Sequence, residues 1–382
     1  MTSMSADPTE TVVTGRGACS PAGPDVHSLW RGLCEKRACI RDIEHFDTST
    51  ASLHRAGFVP GPDERPDSPG RTLELAVRAA RQAVREAAPP PSHRTAVVLG
   101  STEPTTTDGG TQGLFPGLLA SRCAEALSVT GEAVTVASAS ASGALGISMG
   151  RDMLRAGDAD TVLAGGADAV TETAFLGLNS LRTLSPHGCR PFTRDRRGIG
   201  VSEGAGLLHL ERRDSAEARG ARVHAVLAGA GVTNMTDHLA TPRATGVRVA
   251  VERALADAGM DPDEVDLVNA HGPGTRQGDR VEIEALREVF GARTAEIPVV
   301  SSKSVLWHLQ GAAGAIEALI CVLCLERDAI TPTRITGALD PAYADLDLVD
   351  HDGARPAPRL RAALSVSCGL GGLNVALLFR SA

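Results

Sequence analysis

A chain of 382 residues with 42% hydrophobic and 22% charged residues, 41 Gly and 22 Pro can bury a large core, and it reads as loop-rich and globular, not disordered, fibrous or repetitive. The net charge of -8, from 46 acidic and 38 basic residues without a block of like charge, gives no electrostatic footprint for nucleic acid. Two depletions stand out: aromatics make up 3%, so Ala, Val, Leu, Ile and Gly must fill the core, and Lys36 and Lys303 are the only lysines. The N-terminus MTSMSADPTE lacks the basic and apolar regions of a secretory leader, and no stretch approaches the ~18 apolar residues of a membrane span. The eight cysteines then read as reduced thiols, with the cytoplasm as the expected compartment and no membrane partner.

Residues 1–10 read as a flexible polar tail. TVVTGRGACSPAG predicts a strand, DVHSLWRGLCEK a short helix opened by Asp25, and residues 59–70 a loop. RTLELAVRAARQAVREA predicts a helix stopped by the prolines at 89–91. A strand (RTAVVLGST) follows, then strand, turn and helix in GEAVTVASASASGALGISMGRDMLRAGD and another strand in DADTVLAGGAD. ARVHAVLAGAGV, TGVRVAVERALADAG, DEVDLVNAHGPGT, IPVVSSKSVLWHLQGAAGAIEALICVLCLERD and ALSVSCGLGGLNVALLF repeat this grammar. An α/β protein of two similar halves, 11–222 and 223–382, joined in one structural unit, is expected. Cys321 and Cys324 fall on one face of an apolar helix with no second Cys or His pair nearby, which reads as packing and not as a metal site.

Three turns after apolar strands gather the reactive side chains. In V-A-S-A-S-A-S-G, Ser140 sits among small residues at a strand-to-helix junction, where the helix N-terminus favours negative charge and suits a nucleophile. Serines there also suit helix capping. In N-A-H-G-P-G-T, His271 follows a strand at the edge where α/β proteins keep their sites, a place a structural histidine also occupies. In S-S-K-S-V-L-W-H, Lys303 and His308 lie five apart across a turn and helix start, so both can point into one cavity. In a chain that uses arginine for nearly every cation, a lysine at a strand end suggests a need for a compact ammonium, against the alternative of a chance surface lysine. Arg194, Arg196 and Arg197 read as a solvated loop, or as a docking point for an acidic partner.

In this order these turns, with RPFTRDRRGIGVSEGAG and SCGLGGLN, resemble the β-ketoacyl synthases, the condensing enzymes of fatty-acid and polyketide assembly, over nearly the whole chain. The resemblance implies the thiolase fold, five alternating αβαβα layers, a homodimer or ketosynthase-type heterodimer, and substrates carried as thioesters on the phosphopantetheine of an acyl carrier protein or on CoA, with no permanently bound cofactor. By motif it assigns His271 and His308 as the two histidines, Lys303 as the lysine that orients the site, and Ser140 as the nucleophile position. It places the oxyanion hole at the N-H groups of Ser140 and Leu370, the gate at Cys368, Gly369 and Leu370, and structural roles at Glu203 and Asn374.

The departures cluster at the site. A-S-A-S-G stands where the family has A-C-x-S-G, and a serine, unlike a cysteine thiolate, needs a base such as His271 or His308 as it attacks. Pro273 replaces a hydroxyl expected to touch the pantetheine arm, Thr275 is kept, and Trp307 stands beside His308 where the family often has a small residue. Residues 59–70 and 108–134 look short. Acyl transfer to Ser140 or decarboxylation of a malonyl-type unit by His271 and His308 fits best. Two alternatives stand: a condensing enzyme carrying an engineered Cys-to-Ser change, since restoring cysteine gives ASACASG, and a non-catalytic partner subunit like a chain length factor.

Overall fold

A computed structural model describes residues 7–61, 66, 68, 70–89, 94–102, 118–235 and 242–382. The expectations for residues 1–6, for much of 62–69 and for 103–117 fall outside those residues. The first half runs β1 (Thr11–Cys19), α1 (Arg71–Ala87), β2 (Thr95–Gly100), α2 (Leu118–Leu127), β3 (Ala133–Val136), α3 (Ser142–Ala156), β4 (Thr161–Asp168) and β5 (Gly204–Arg212). The second runs β6 (Ala225–Asn234), α4 (Ala244–Ala258), β7 (Leu267–Asn269), α5 (Arg276–Phe290), β8 (Val299–Val300), α6 (Ala313–Arg327), β9 (Ala362–Cys368) and β10 (Leu373–Arg380).

The strands are ordered β8-β7-β9-β10-β6-β1-β5-β4-β2-β3. Read outward from the middle, both halves follow one order, β1-β5-β4-β2-β3 and β6-β10-β9-β7-β8. In each the inner pairs are antiparallel and the outer pairs parallel. The halves meet where Val12 and Val13 pair with Val226 and Ala225. A repeat that the residues hardly show is therefore plain in the topology.

Helix α1 covers β1, β5 and β4, α4 covers β6 and β10, and α3 and α6 lie against each other between the two half-sheets, giving five layers. The central contact depends on small residues: a Cβ on Gly143 would lie 2.7 Å from the Gly311 carbonyl oxygen, and one on Gly314 would lie 2.8 Å from Ala144 Cβ. This is where the scarcity of aromatics is felt, because larger side chains would part the helices. Every residue of α6 from Ala313 to Leu325 is buried, Cys321 and Cys324 included, as an apolar helix without a polar face requires.

Asp25 caps the first helix, Val26–Cys34, with a capping box, as its position predicts. The described end of the N-terminal segment is not free, which corrects the flexible-tail expectation for residues 7–10. Glu10 pairs with Arg213 at 2.9 Å and with Arg380, tying the chain to both halves.

Candidate active site

Strands β7, β8 and β9 are parallel neighbours, so their C-terminal ends open on one edge of the sheet. His271 stands two residues after β7, Lys303 three after β8, and Cys368 ends β9. From the other half, Ser140 stands in the turn between β3 and α3. A cavity of about 320 Å3 collects Ser140, His271, His308 and Cys368. Pro273, Thr275, Gly369, Leu370 and Arg197 complete the part of its wall that the sequence singled out.

The serine turn is sharp, with Ala139 at φ 50. Ser142 closes it, its Oγ donating to Ala139 O at 2.6 Å and accepting from the Ser138 N-H at 2.8 Å. The N-cap is Ala141, without a side-chain cap. None of the three serines therefore caps the helix with its side chain. Ser142 locks the backbone, while the Ser140 hydroxyl lines the cavity with no hydrogen-bond partner among the described residues.

Lys303 is fully buried. Its Nζ donates to the His271 carbonyl oxygen at 2.6 Å, lies 3.3 Å from His271 Nδ1, and forms an ion pair with Glu317 of α6. His308 Nδ1 accepts the Gln310 N-H at 3.0 Å, and its backbone is clamped by Gly200 O and the Ser202 N-H at 2.8 and 2.9 Å. The two imidazoles meet edge to face, centroids 5.5 Å apart. Burial, then the Lys303 charge, hold both rings well below the usual histidine range, His308 adding to the effect on His271. Both are therefore neutral at neutral pH. With each Nδ1 facing a donor, the ring proton belongs on Nε2, so each ring offers an N-H, and not a bare nitrogen, to the cavity. With that tautomer neither Nε2 carries a lone pair for the Ser140 proton.

Four buried carboxylates that the sequence reading passed over hold these turns. Glu282 accepts the N-H groups of His271 (2.6 Å) and Gly272 (2.8 Å). One turn earlier on α5, Asp279 accepts those of Gly274 and Phe192, both at 2.9 Å. Asp168, at the end of β4, takes both N-H and hydroxyl of Thr102, the Ser101 hydroxyl and the Gly311 N-H, fastening β2, β4 and the approach to α6. Burial pushes Asp168 and Asp279 up to about 6 and Glu282 and Glu317 up to about 7. The signal available in the sequence was Asp279 and Glu282 three apart on the apolar face of an amphipathic helix.

Other expected residues are placed differently. Trp307 does not line this cavity; at φ 62 and ψ -166 its indole turns away from His308 and packs against Gly188 and Gly200, beside Phe58 and Val201. Glu203 is buried in a two-pronged pair with Arg71 (2.6 and 3.1 Å) and also accepts the Val59 N-H, so it braces the segment that clamps His308 without reaching the cavity. Asn374 donates to Gly372 O at 3.0 Å and Thr233 Oγ1 at 3.3 Å, fixing the gate turn to β6. Thr275 caps α5 by accepting the Gly278 N-H at 3.0 Å. Arg196 is not a solvated loop residue: it is 5% exposed, paired with Asp279 and Asp340 and bonded to the Tyr343 hydroxyl, while Arg194 and Arg197 are exposed. Cys368 lines the cavity as a thiol, since enclosure and the charges of Glu282 and Glu317 drive it well above the usual range.

Among the described residues no group of three His, Cys, Asp or Glu side chains is arranged to share a metal, and no helix is long and apolar enough to cross a membrane. The site's capabilities are thus two neutral N-H donors, a helix N-terminus and a hydroxyl around one cavity. The β-ketoacyl synthase N-terminal domain matches residues 9–216 and the C-terminal domain residues 224–336. Nodulation protein E of Rhizobium sp. (strain N33) is 32% identical, with 97% of this chain and 98% of that protein covered. The 3-oxoacyl-(acyl-carrier-protein) synthase 2 of Staphylococcus aureus is also 32% identical, with 97% and 100% covered. Among solved structures, the ishigamide ketosynthase/chain length factor matches with a TM-score of 0.90 at 33% identity over 98% of this chain and 100% of that one. A ketosynthase solved with its type II acyl carrier protein and bound to the hexaketide matches with a TM-score of 0.88 at 26% identity, covering 98% and 100%. The five layers are the thiolase fold of these proteins, and the chain is a member of the β-ketoacyl synthase family.

Proposed function

We propose that the protein acts on acyl thioesters carried by the phosphopantetheine of an acyl carrier protein, or by CoA, in fatty-acid or polyketide assembly, and that its residues favour decarboxylation of a malonyl-type unit over condensation. The observation that carries this reading is the pair of neutral imidazoles, His271 and His308, lining one cavity with Nδ1 already engaged. Two Nε2-H donors over one thioester carbonyl stabilise the enolate oxygen as the bond to the departing carboxylate breaks. The electron pair of that bond enters the enolate, CO2 leaves, and a proton from water completes the acyl thioester. Lys303 holds the His271 turn and keeps both rings neutral. Ser140, lacking a base, accepts acyl groups slowly, and the N-H groups of Ser140 and Leu370 hold the oxyanion when it does.

The partners of this reading are the carrier and a second ketosynthase-type chain. Strand β3, at the open edge of the sheet with all four residues half-buried, is the strand such a chain would extend. A silent, chain-length-factor-like role is the second reading, favoured by a structural relative whose description names both subunit types. A fully buried Lys303–Glu317 pair serving the histidines weighs against it, since such a pair is costly to keep for packing alone.

The test uses a malonyl-loaded carrier, following CO2 release and the acyl product by mass. The wild type and Ser140→Ala release CO2 at similar rates, His308→Ala falls by roughly 10²-fold or more, and Ser140→Cys gains condensation product when acyl donor is added. CO2 release by His308→Ala at the wild-type rate would sink the proposal.

A further inference from the structure

A second cavity, about 520 Å3, is walled by Trp307, while the next residue, His308, lines the catalytic cavity. Its cationic lining is Arg55, Arg190 and Arg334, with His187 and Thr336 at the side, and no carboxylate lines it. Two of the arginines are answered by the protein: Arg190 pairs with Asp195 at 2.6 Å, and Arg55 approaches Asp42 at 3.5 Å and donates to Ile40 O at 2.5 Å. Arg334 is not. Among the described residues its side chain has one partner, the Lys36 carbonyl oxygen at 3.3 Å from Nη1, and its Nε is buried with no acceptor. The Lys36 ammonium itself turns to Asp350.

A guanidinium keeps its charge, so a half-buried one beside a second arginine and without a counter-ion among the described residues is costly. Burial, then the Arg190 charge, pull Arg334 below the ordinary arginine value. The Arg334 Nε-H is sealed within the wall, so the part of the guanidinium left to meet an oxyanion is its terminal Nη2 end. The Arg334 N-H also donates to Ser304 Oγ at 2.9 Å, so the cavity is fastened to the residue after Lys303.

We propose that this cavity binds a phosphate-class oxyanion, free or as a phosphate monoester, held by the Arg334 guanidinium with Arg190 and His187 also in its lining. The site is separate from the thioester cavity and does not depend on the proposed reaction. Isothermal titration of inorganic phosphate into the full chain, against chloride at equal ionic strength, gives saturable binding in the wild type. Arg334→Met weakens it by roughly tenfold or more, the loss of one charge-assisted pair, and Arg334→Lys keeps part of it. Arg190→Met weakens it independently should Arg334→Met not fold. Adenosine 3′,5′-bisphosphate, which lacks a pantetheine arm, separates the sources: tighter binding than phosphate identifies a monoester, and equal binding the free ion. A phosphate response no larger than that of chloride, or one unchanged in folded Arg334→Met, overturns the proposal.

Discussion

Replacing Lys303 by Met removes the only ionic partner that Glu317 has among the described residues, and Glu317 is 1% exposed with an Oε2 that already lacks a hydrogen bond. Burial raises the Glu317 carboxyl from 4.5 to about 7 even though Lys303 pulls it down. A carboxyl raised on folding binds its proton more tightly in the folded chain, so its contribution becomes unfavourable as pH rises through the unfolded value and levels off above the folded one. In the wild type that loss stops near pH 7, where Glu317 ionises against Lys303. Without Lys303 the folded value climbs further, and the loss continues at about 1.4 kcal/mol per pH unit. The stability gap between wild type and Lys303→Met should therefore widen by about 2 kcal/mol between pH 7 and pH 8.5. Urea unfolding midpoints across that range, at fixed ionic strength, measure it. Adding Glu317→Gln to Lys303→Met should reduce the slope, leaving the part that belongs to Glu282, which Lys303 also pulls down. A gap independent of pH, or one that Glu317→Gln leaves intact, refutes the coupling of Glu317 to Lys303.

Three further outcomes follow. Because His271 and His308 are held well below the ordinary histidine range, decarboxylation should stay level from pH 8 to pH 6 and fall only in more acidic buffer; a single inflection near 6.5 in the pH profile contradicts this. Arg71→Met leaves Glu203 buried without its partner and should cost about 3–5 kcal/mol in urea unfolding, whereas under 1 kcal/mol would remove Glu203 from the bracing of His308. Gly143→Val forces carbon into the Gly311 carbonyl, 2.7 Å from the ideal Cβ, and should destabilise by about 1–3 kcal/mol; calorimetry that finds no loss shows that the central helices can separate.

The strands, the helices and the three turns were legible because apolar runs ending in small or Gly-rich segments have a local cause, and Ser140, His271, Lys303 and His308 all follow such runs. What went unread depends on partners distant in the chain. Glu282 and Glu317 are charges on helices, which in a sequence look like solvated positions until the turn they support is known. Arg196 looked solvated for the same reason, its partners Asp279 and Asp340 lying 83 and 144 residues away. Trp307 misled by adjacency: next to His308 in sequence, it is carried by positive φ into a different cluster. The matching strand order of the halves could not be read from residues at all, since topology repeats without identity.

Helix α6 has no face turned to water along Ala313–Leu325, and it carries Glu317 at its second turn. Its amides can reach solvent only when the two half-sheets come apart, an event as rare as unfolding of the whole molecule. Glu317, the ionic partner of Lys303, therefore rides on the slowest-exchanging part of the protein. Whatever motion admits a substrate must occur at the cavity rim, leaving the electrostatics beneath it unchanged from one turnover to the next.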